Sequence, residues 1–432
     1  MEKINVFWHR RDLRIQDNTG LYYALTSELP VLPIFIFDTN ILSKLEEQND
    51  ARVTFIHEQI VKLNEEYSQK GSGLKVFNCT PEEAFNELLD TYEIAGIYTN
   101  RDYEPEAITR DSAIQELVQQ HGAEFYTFKD QVIFEKGEIL TDKGEPYKVF
   151  TPFKNKWLQK YKDIDHKSID TQKHLKNTFQ LKGTDIPTIE ELGFEPSELT
   201  FPDKTYSEQI VEKYADDRDF PAKKGTTRLG VHLRFGTISV RELAAQTSSL
   251  SETYLSELIW REFYMMILAY FPEVVDKAFK SKYDQIKWIN DEDQFIKWCE
   301  GKTGYPIVDA GMRELNATGY MHNRVRMVVS SFLTKHLLID WRWGERYFAK
   351  KLLDYELASN NGGWQWAAGT GTDAQPYFRV FNPKSQQEKF DPDYSYIKKW
   401  VPEFDTPKYP KPIVDHKQAR VRAIETYKEA VS

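Results

Sequence analysis

The chain has 432 residues, a formal net charge of −10, 40% hydrophobic and 14% aromatic residues. That length exceeds what one hydrophobic core usually supports, so two domains are expected. The acidic balance excludes a surface coated throughout for nucleic acid, though a local basic face remains compatible with it. No apolar run reaches the roughly 18 residues of a membrane span, so no membrane association is expected. The opening residues carry no cleavable apolar region, and Cys79 and Cys299 are too few for a disulfide framework. A cytoplasmic protein is the expectation, and no Cys/His cluster has metal spacing, so no metal is expected.

In chain order, "INVFW" (4–8) and "VLPIFIF" (31–37) read as strands, with a weaker one at "AGIYT" (95–99). Helical spacing lies between them, clearest in 51–69, and strands alternating with helices imply a doubly wound parallel sheet. This α/β domain is placed at 1–125. Residues 126–204 read as a connector, because 181–203 carries turn residues and little periodicity. From 205 to 432 an all-helical domain is expected, with strong helical patterns at 251–271 and 323–341. There is no internal repeat.

Three features in the helical part carry chemistry. Eight of the ten tryptophans follow residue 259: Trp260, Trp288, Trp298, Trp341, Trp343, Trp364, Trp366 and Trp400. Aromatic residues pack cores, but indoles gathered beside a Gly-rich segment also suit stacking or electron transfer. Polar groups interrupt apolar helices: Asn323, Arg326 and Met327 share one face, with Arg324 turned elsewhere, and Glu257, Trp260 and Arg261 lie close together on another helix. A buried charge needs a partner, and Asp354 is a candidate for Arg326. In "KKGTTRLGVHLRFGTIS" (223–239), Gly225, Thr226 and Thr227 precede a helical pattern and suit a phosphate at a helix N-terminus. The segment is neither a Walker loop nor a Rossmann fingerprint.

The stretches "FWHRRDLRIQDN", "KVFTPFKNKW", "RDFPAKKGTTRL", "SELIWREFY", "EGKTGYPIVDAGMREL", "TGYMHNRVRMVVSSFL", "DWRWGERYF" and "ASNNGGWQWAAGTGTDAQPYFRVFNP" resemble, in order, the photolyase/cryptochrome family. The resemblance covers almost the whole chain and is greatest to the class I bacterial cyclobutane pyrimidine dimer photolyases. It implies a Rossmann-like N-terminal domain and a C-terminal helical FAD-binding domain. The implied activity is light-driven repair of pyrimidine dimers in single- or double-stranded DNA by a monomer. An electron passes from photoexcited reduced FAD to the flipped-out dimer and then returns.

The resemblance also implies roles. Asn360 would face flavin N5, and Arg326 and Asp354 would flank the ring. Tyr214, Thr226, Thr227, Arg228, Leu229, Arg261, Asn323 and Glu356 would surround the remainder of FAD. Gly230 stands where relatives often have Ser. Glu257 would hydrogen-bond the dimer carbonyl in its protonated form, with Asn323 and Met327 opposite. Trp260 and Trp366 would wall the dimer, and Arg218 and Arg324 would contact phosphates. Trp364, Trp341 and Trp288 would form the photoreduction chain, and Trp298, Trp343 and Trp400 are left to packing. Gly362 and Gly363 are expected to let backbone approach the flavin, while "GTGTD" (369–373) has no assigned role.

Two other members of the family fit less well. A (6-4) photolyase would have histidines where Asn323 and Met327 stand, with only His322 nearby, and a signalling cryptochrome would have lost the dimer pocket. A flavoprotein that merely binds single-stranded DNA would not need that pocket. A second, antenna chromophore is expected in the N-terminal domain: a folate such as methenyltetrahydrofolate, a deazaflavin or another flavin. Tyr103, Glu104, Arg110 and Asp111 fit the folate pattern, whereas Ala107 stands where that pattern has a glutamate, with Glu104 or Glu106 as substitutes.

Overall fold

The apolar runs near the N-terminus are strands in the computed structural model, which describes residues 2–181 and 185–432. Residues 182–184 of the expected connector lie outside the described residues. Five parallel strands, β1 (Lys3–His9), β2 (Val31–Asp38), β3 (Lys75–Cys79), β4 (Glu93–Asn100) and β5 (Glu124–Phe128), pair in the order β3-β2-β1-β4-β5. The two strands that the sequence pattern did not reveal, β3 and β5, are the sheet edges. Each is five residues long and partly exposed, so neither needs the apolar run that marks a strand covered on both faces.

Alternate residues of β1 and β2 — Ile4, Val6 and Trp8, with Leu32, Ile34 and Ile36 — fill one core with Phe85, Leu88, Ile114 and Val118. The last four come from the helices Pro81–Thr91 and Pro105–Gln120, which the sequence starts with Pro in the first turn. The chain order reverses between β1 and β4. That switch point brings Arg10, Arg11 and Asp12 toward Asn100 and Asp102 beyond the carboxyl ends of the strands, where open α/β sheets form ligand crevices.

Two units are distinguishable. One comprises Met1–Glu135, Lys162–Lys204 and Leu229–Thr247; the other comprises Lys136–Tyr161, Thr205–Arg228 and Ser248–Ser432. The segment 126–204 is therefore shared between the units, and 229–247, from the stretch read as helical domain, belongs with the sheet. Buried charge fastens it there. Asp130 accepts from Arg14 at 2.7 and 2.9 Å and from Arg241 at 2.9 Å, and Arg241 also meets Asp17 at 2.9 Å. Burial opposes the charged carboxylate of Asp130, yet Arg14 and Arg241 hold its pKa at about 2.

The second unit is helical, and no strand follows Phe128 among the described residues. The pattern at 251–271 is the helix Glu252–Tyr270, capped by Ser251. The pattern at 323–341 is not one helix. Asn323–Ser331 runs into a π turn at Phe332–His336, Leu338 takes a left-handed φ of 49°, and Asp340 caps a new helix, Trp341–Lys351. The apolar spacing continues across the break because both pieces pack on one core that contains Val325, Val329, Leu333, Trp341 and Phe348. Among the described residues no helix is long and apolar enough to cross a membrane, and no cluster of His, Cys, Asp and Glu could hold a metal.

Asp130→Ala removes the carboxylate partner of the buried Arg14 guanidinium and leaves Arg241 with the Asp17 carboxylate alone. It is expected to lower unfolding free energy by about 3 kcal/mol or more, read from denaturant unfolding.

Candidate functional site

Three helices of the second unit enclose a cavity of about 420 Å³. Helical spacing decides what each helix contributes. Glu252–Tyr270 turns Glu257, Trp260, Arg261 and Tyr264 to it, and Asn323–Ser331 turns Asn323, Arg326, Met327 and Ser330. Leu357–Ala368 supplies Ser359, Asn360, Gly363, Trp364 and Trp366, and its N-cap, Glu356, also lines the space. Arg218, Phe348, Leu352, Asp354 and Tyr355 complete the wall. The cavity thus gathers residues spread over 149 positions, from Arg218 to Trp366.

Its polar groups are mostly held by neighbours. One Arg326 nitrogen donates to both Asp354 oxygens at 3.0 and 2.8 Å, and Nε donates to the Met321 carbonyl at 2.7 Å. Asn360 Nδ2 donates to the Glu345 carbonyl at 3.1 Å and to its carboxyl at 2.8 Å, which leaves Oδ1 as an acceptor for a cavity partner. Glu345 was not singled out from the sequence. Nothing in its spacing distinguishes it from an exposed helical Glu. Asn323 Nδ2 lies 3.9 Å from the Met327 sulfur. Glu257 accepts from Arg218 Nη1; burial raises its carboxyl pKa while Arg218 works to lower it, and the net displacement is upward.

The aromatic residues divide in two. Trp260 stacks on Phe150 with ring centroids 3.6 Å apart and planes 7° from parallel, so Phe150 fixes the indole plane. Trp364 is buried and meets Phe348 at 5.0 Å and Trp298 at 6.1 Å. Gly344 explains its close seat, because a Cβ there would fall 2.1 Å from the Trp364 ring. Trp364 and Trp341 share one core, against which Trp288 packs, with Tyr427 at 5.9 Å from Trp288. Trp298 is fully buried, its N–H donating to the Val329 carbonyl at 3.2 Å.

Gly362 and Gly363 have different tasks. A Cβ on Gly363 would meet nothing within 4 Å, so its bare backbone faces open space. A Cβ on Gly362 would lie 2.2 Å from the Tyr264 ring, so that glycine serves helix packing rather than an approach to the cavity. The unassigned "GTGTD" is also structural. Gly369, at φ 84°, ends the helix Leu357–Ala368, Thr370 and Gly371 donate back to Gln365, and Asp373 accepts from Phe150 N at 3.1 Å.

Thr226 and Thr227 do not gather at a helix start. Their hydroxyls meet Tyr320 at 3.4 Å and Tyr254 at 3.0 Å, and the following helix, Gly230–Phe235, begins after the buried Leu229. Arg228, at φ 55°, sets its guanidinium over the Tyr320 ring at 4.4 Å, and Tyr214 packs edge-on to Tyr254 at 5.1 Å. Arg324 points elsewhere than the cavity, pairing with Asp219 at 2.8 Å over the Phe390 ring. In the sheet unit, Tyr103 donates to Glu135 at 3.2 Å, Arg110 lies over Trp8, and Glu104 holds both Arg11 and Arg234. Ala107 is buried, and Glu106 pairs with Lys44 at the surface.

Residues 254–407 match a family described as the FAD binding domain of DNA photolyase, and residues 5–173 match one described as DNA photolyase. A curated relative, the deoxyribodipyrimidine photo-lyase of Halobacterium salinarum, is 38% identical over 99% of this chain and 99% of its own. Among solved structures, a bacterial class III photolyase from Agrobacterium tumefaciens is similar with a TM-score of 0.83, 32% identity, and coverage of 100% of this chain and 98% of that one. An archaeal photolyase from Sulfolobus tokodaii, solved with two FAD molecules, has a TM-score of 0.80 and 34% identity, covering 99% of this chain and 100% of that one.

His322 caps the helix that carries Asn323, Arg326 and Met327, its Nδ1 accepting from Arg324 N at 3.2 Å, which requires a neutral ring. Burial is the main cause that pushes its pKa from 6.5 down to about 4. Between those values the unfolded chain binds the proton and the folded chain does not, so stability falls as pH drops from 6.5 toward 4. His322→Asn keeps a capping side chain without the titration. Its unfolding free energy is expected to fall by about 3 kcal/mol less than that of the wild type over this window, measured by denaturant unfolding at stepped pH.

Proposed function

The chain belongs to the photolyase/cryptochrome family, and from that membership and its cavity we infer that it is a photolyase: it splits cyclobutane pyrimidine dimers in DNA with light. The observation that carries this reading is the convergence of Glu257, Trp260, Asn323, Met327 and Trp366 on the cavity that Arg326, Asp354 and Asn360 also line. The residues fit FAD. Gly363 leaves open space beside bare backbone, Arg326 brings a positive charge already held in place by Asp354, and Asn360 keeps an uncharged acceptor free. When bound and reduced, FAD supplies the light-driven electron that opens the dimer and receives it back.

The chain's own residues position and neutralise. Arg326 would offset the charge of a bound reduced ring, and Asn360, oriented by Glu345, would offer Oδ1 to it as an uncharged acceptor. Arg261 and Glu356, which line the cavity, would hold the ribityl and diphosphate portions, with Tyr214, Thr226, Thr227, Arg228 and Leu229 as further candidates whose side chains are engaged by the protein. Trp260, braced by Phe150, and Trp366 pack against the flipped-out bases, whose ejection costs a few kcal/mol. Glu257 and Asn323 hydrogen-bond the dimer, Met327 gives a soft apolar contact, and Arg218 and Arg324 take neighbouring phosphates. Trp364 and Trp341, in one core, and Trp288, packed against it, would relay electrons toward a bound flavin.

An antenna chromophore would find its crevice at the β1/β4 switch point. Near it Ala107 is buried, Glu104 holds Arg11 and Arg234, and Glu106 pairs with Lys44 at the surface. The protein acts as a cytoplasmic monomer on damaged DNA.

Reduced protein illuminated anaerobically with blue light is expected to remove the dimer from an oligonucleotide that carries one, and to leave it intact in darkness. Persistence of the dimer under light, read by chromatography, overturns the reading. Trp364→Phe is expected to slow photoreduction of oxidised flavin at least tenfold while pre-reduced protein keeps most of its repair rate. Equal loss of both counts against the assignment.

A further inference from the structure

The ion pair at the mouth of the cavity has a feature that the repair reaction does not explain. A hydrogen bond from Glu257 to a dimer carbonyl requires a protonated carboxyl, but here Glu257 accepts from Arg218, whose guanidinium favours the carboxylate form. Both side chains reach solvent, Arg218 at 29% and Glu257 at 33% exposure, so the guanidinium is within reach of a ligand arriving from outside.

We propose that Arg218 is an exchangeable partner: when dimer-containing DNA enters, its guanidinium passes from Glu257 to a backbone phosphate, and Glu257 takes up one proton from solvent and donates the new O–H as a hydrogen bond to the dimer. Arg218 is thereby a positioning residue that ties the protonation state of Glu257 to occupancy of the site. The proposal rests on the reading of the cavity as a dimer site.

The charges around Glu257 favour this exchange. Arg218 is its direct cation, and the other cations near it are engaged. Lys154, on the helix Phe150–Tyr161, pairs with Glu252 at 2.9 Å, and Arg324 pairs with Asp219 at 2.8 Å. Arg326, across the cavity, is held by Asp354, and Arg261 lies one turn along the same helix. Asp219 repels the Glu257 carboxylate, and Tyr214 and Tyr264 are partly buried phenols whose desolvation keeps them neutral. Once Arg218 leaves, burial and Asp219 both oppose the charged form, and the flat pyrimidine rings remove what water remains. Charge is balanced throughout, since a phosphate replaces the carboxylate beside Arg218 and a proton neutralises Glu257.

The test is proton counting in darkness. FAD-loaded protein is titrated at pH 7 with an oligonucleotide bearing one dimer, by calorimetry in buffers of different ionisation enthalpy. The wild type is expected to take up about one proton per dimer bound, and Glu257→Gln essentially none. In Arg218→Gln the cation that favours the Glu257 carboxylate is gone, and Glu257 is expected to carry its proton before binding. Uptake is expected to disappear, with dimer DNA bound more weakly and the salt slope reduced by about one. Dimer binding by the wild type without proton uptake, or equal uptake in Glu257→Gln, overturns the exchange. So does an Arg218→Gln protein that loses affinity with its proton count unchanged, the result expected of a merely structural arginine. No dimer binding at all overturns the dimer site itself.

Discussion

A guanidinium and a carboxylate removed from water must neutralise each other, and around the cavity that constraint governs which side chains can point inward. Arg326 lies on a helix whose neighbours Val325, Val328 and Val329 are fully packed, so its charge is tolerated only because Asp354 accepts twice from it and the Met321 carbonyl takes a third hydrogen. With that cation fixed, the wall beside it can hold an anionic ring without a mobile counterion. Glu257 and Arg218 obey the same rule at the solvent edge, where the pair is reachable and therefore replaceable.

Apolar packing sets the positions that the charges depend on. Trp364 can line the cavity and remain buried because Gly344 removes the Cβ that would collide with it. Tyr264 occupies the notch left by Gly362 and, with Phe150, braces Trp260. Phe150 is tied in turn by Asp373, the last residue of a segment that first ends the helix carrying Asn360, Trp364 and Trp366. One short stretch, 360–373, thus supplies cavity wall, helix cap and the tether of an aromatic support.

Much of this could be read beforehand. The central strands announced themselves as apolar runs, and helical spacing placed Glu257 with Trp260, and Asn323 with Arg326 and Met327. The edge strands β3 and β5 could not be read, because half-exposed strands of five residues carry no distinctive period. The break at 332–340 was hidden because a π turn and a left-handed Leu338 leave the apolar spacing intact on either side. Thr226 and Thr227 looked like helix-start ligands, but Tyr320 and Tyr254, 94 and 27 positions away, take their hydroxyls.

The sequence by itself determined the class of fold, the family, and the chemical inventory of the cavity, since each of these resides in local periodicity or in contiguous motifs. Only the tertiary structure decided what holds that inventory in place: Glu345 orienting Asn360, Phe150 behind Trp260, Gly344 beneath Trp364, and Arg218 on Glu257. These pairs are separated by 15 to 110 residues along the chain. Contacts of that kind arise when helices meet, and no local pattern encodes them, because side-chain packing and charge pairing depend on distance in space rather than in sequence.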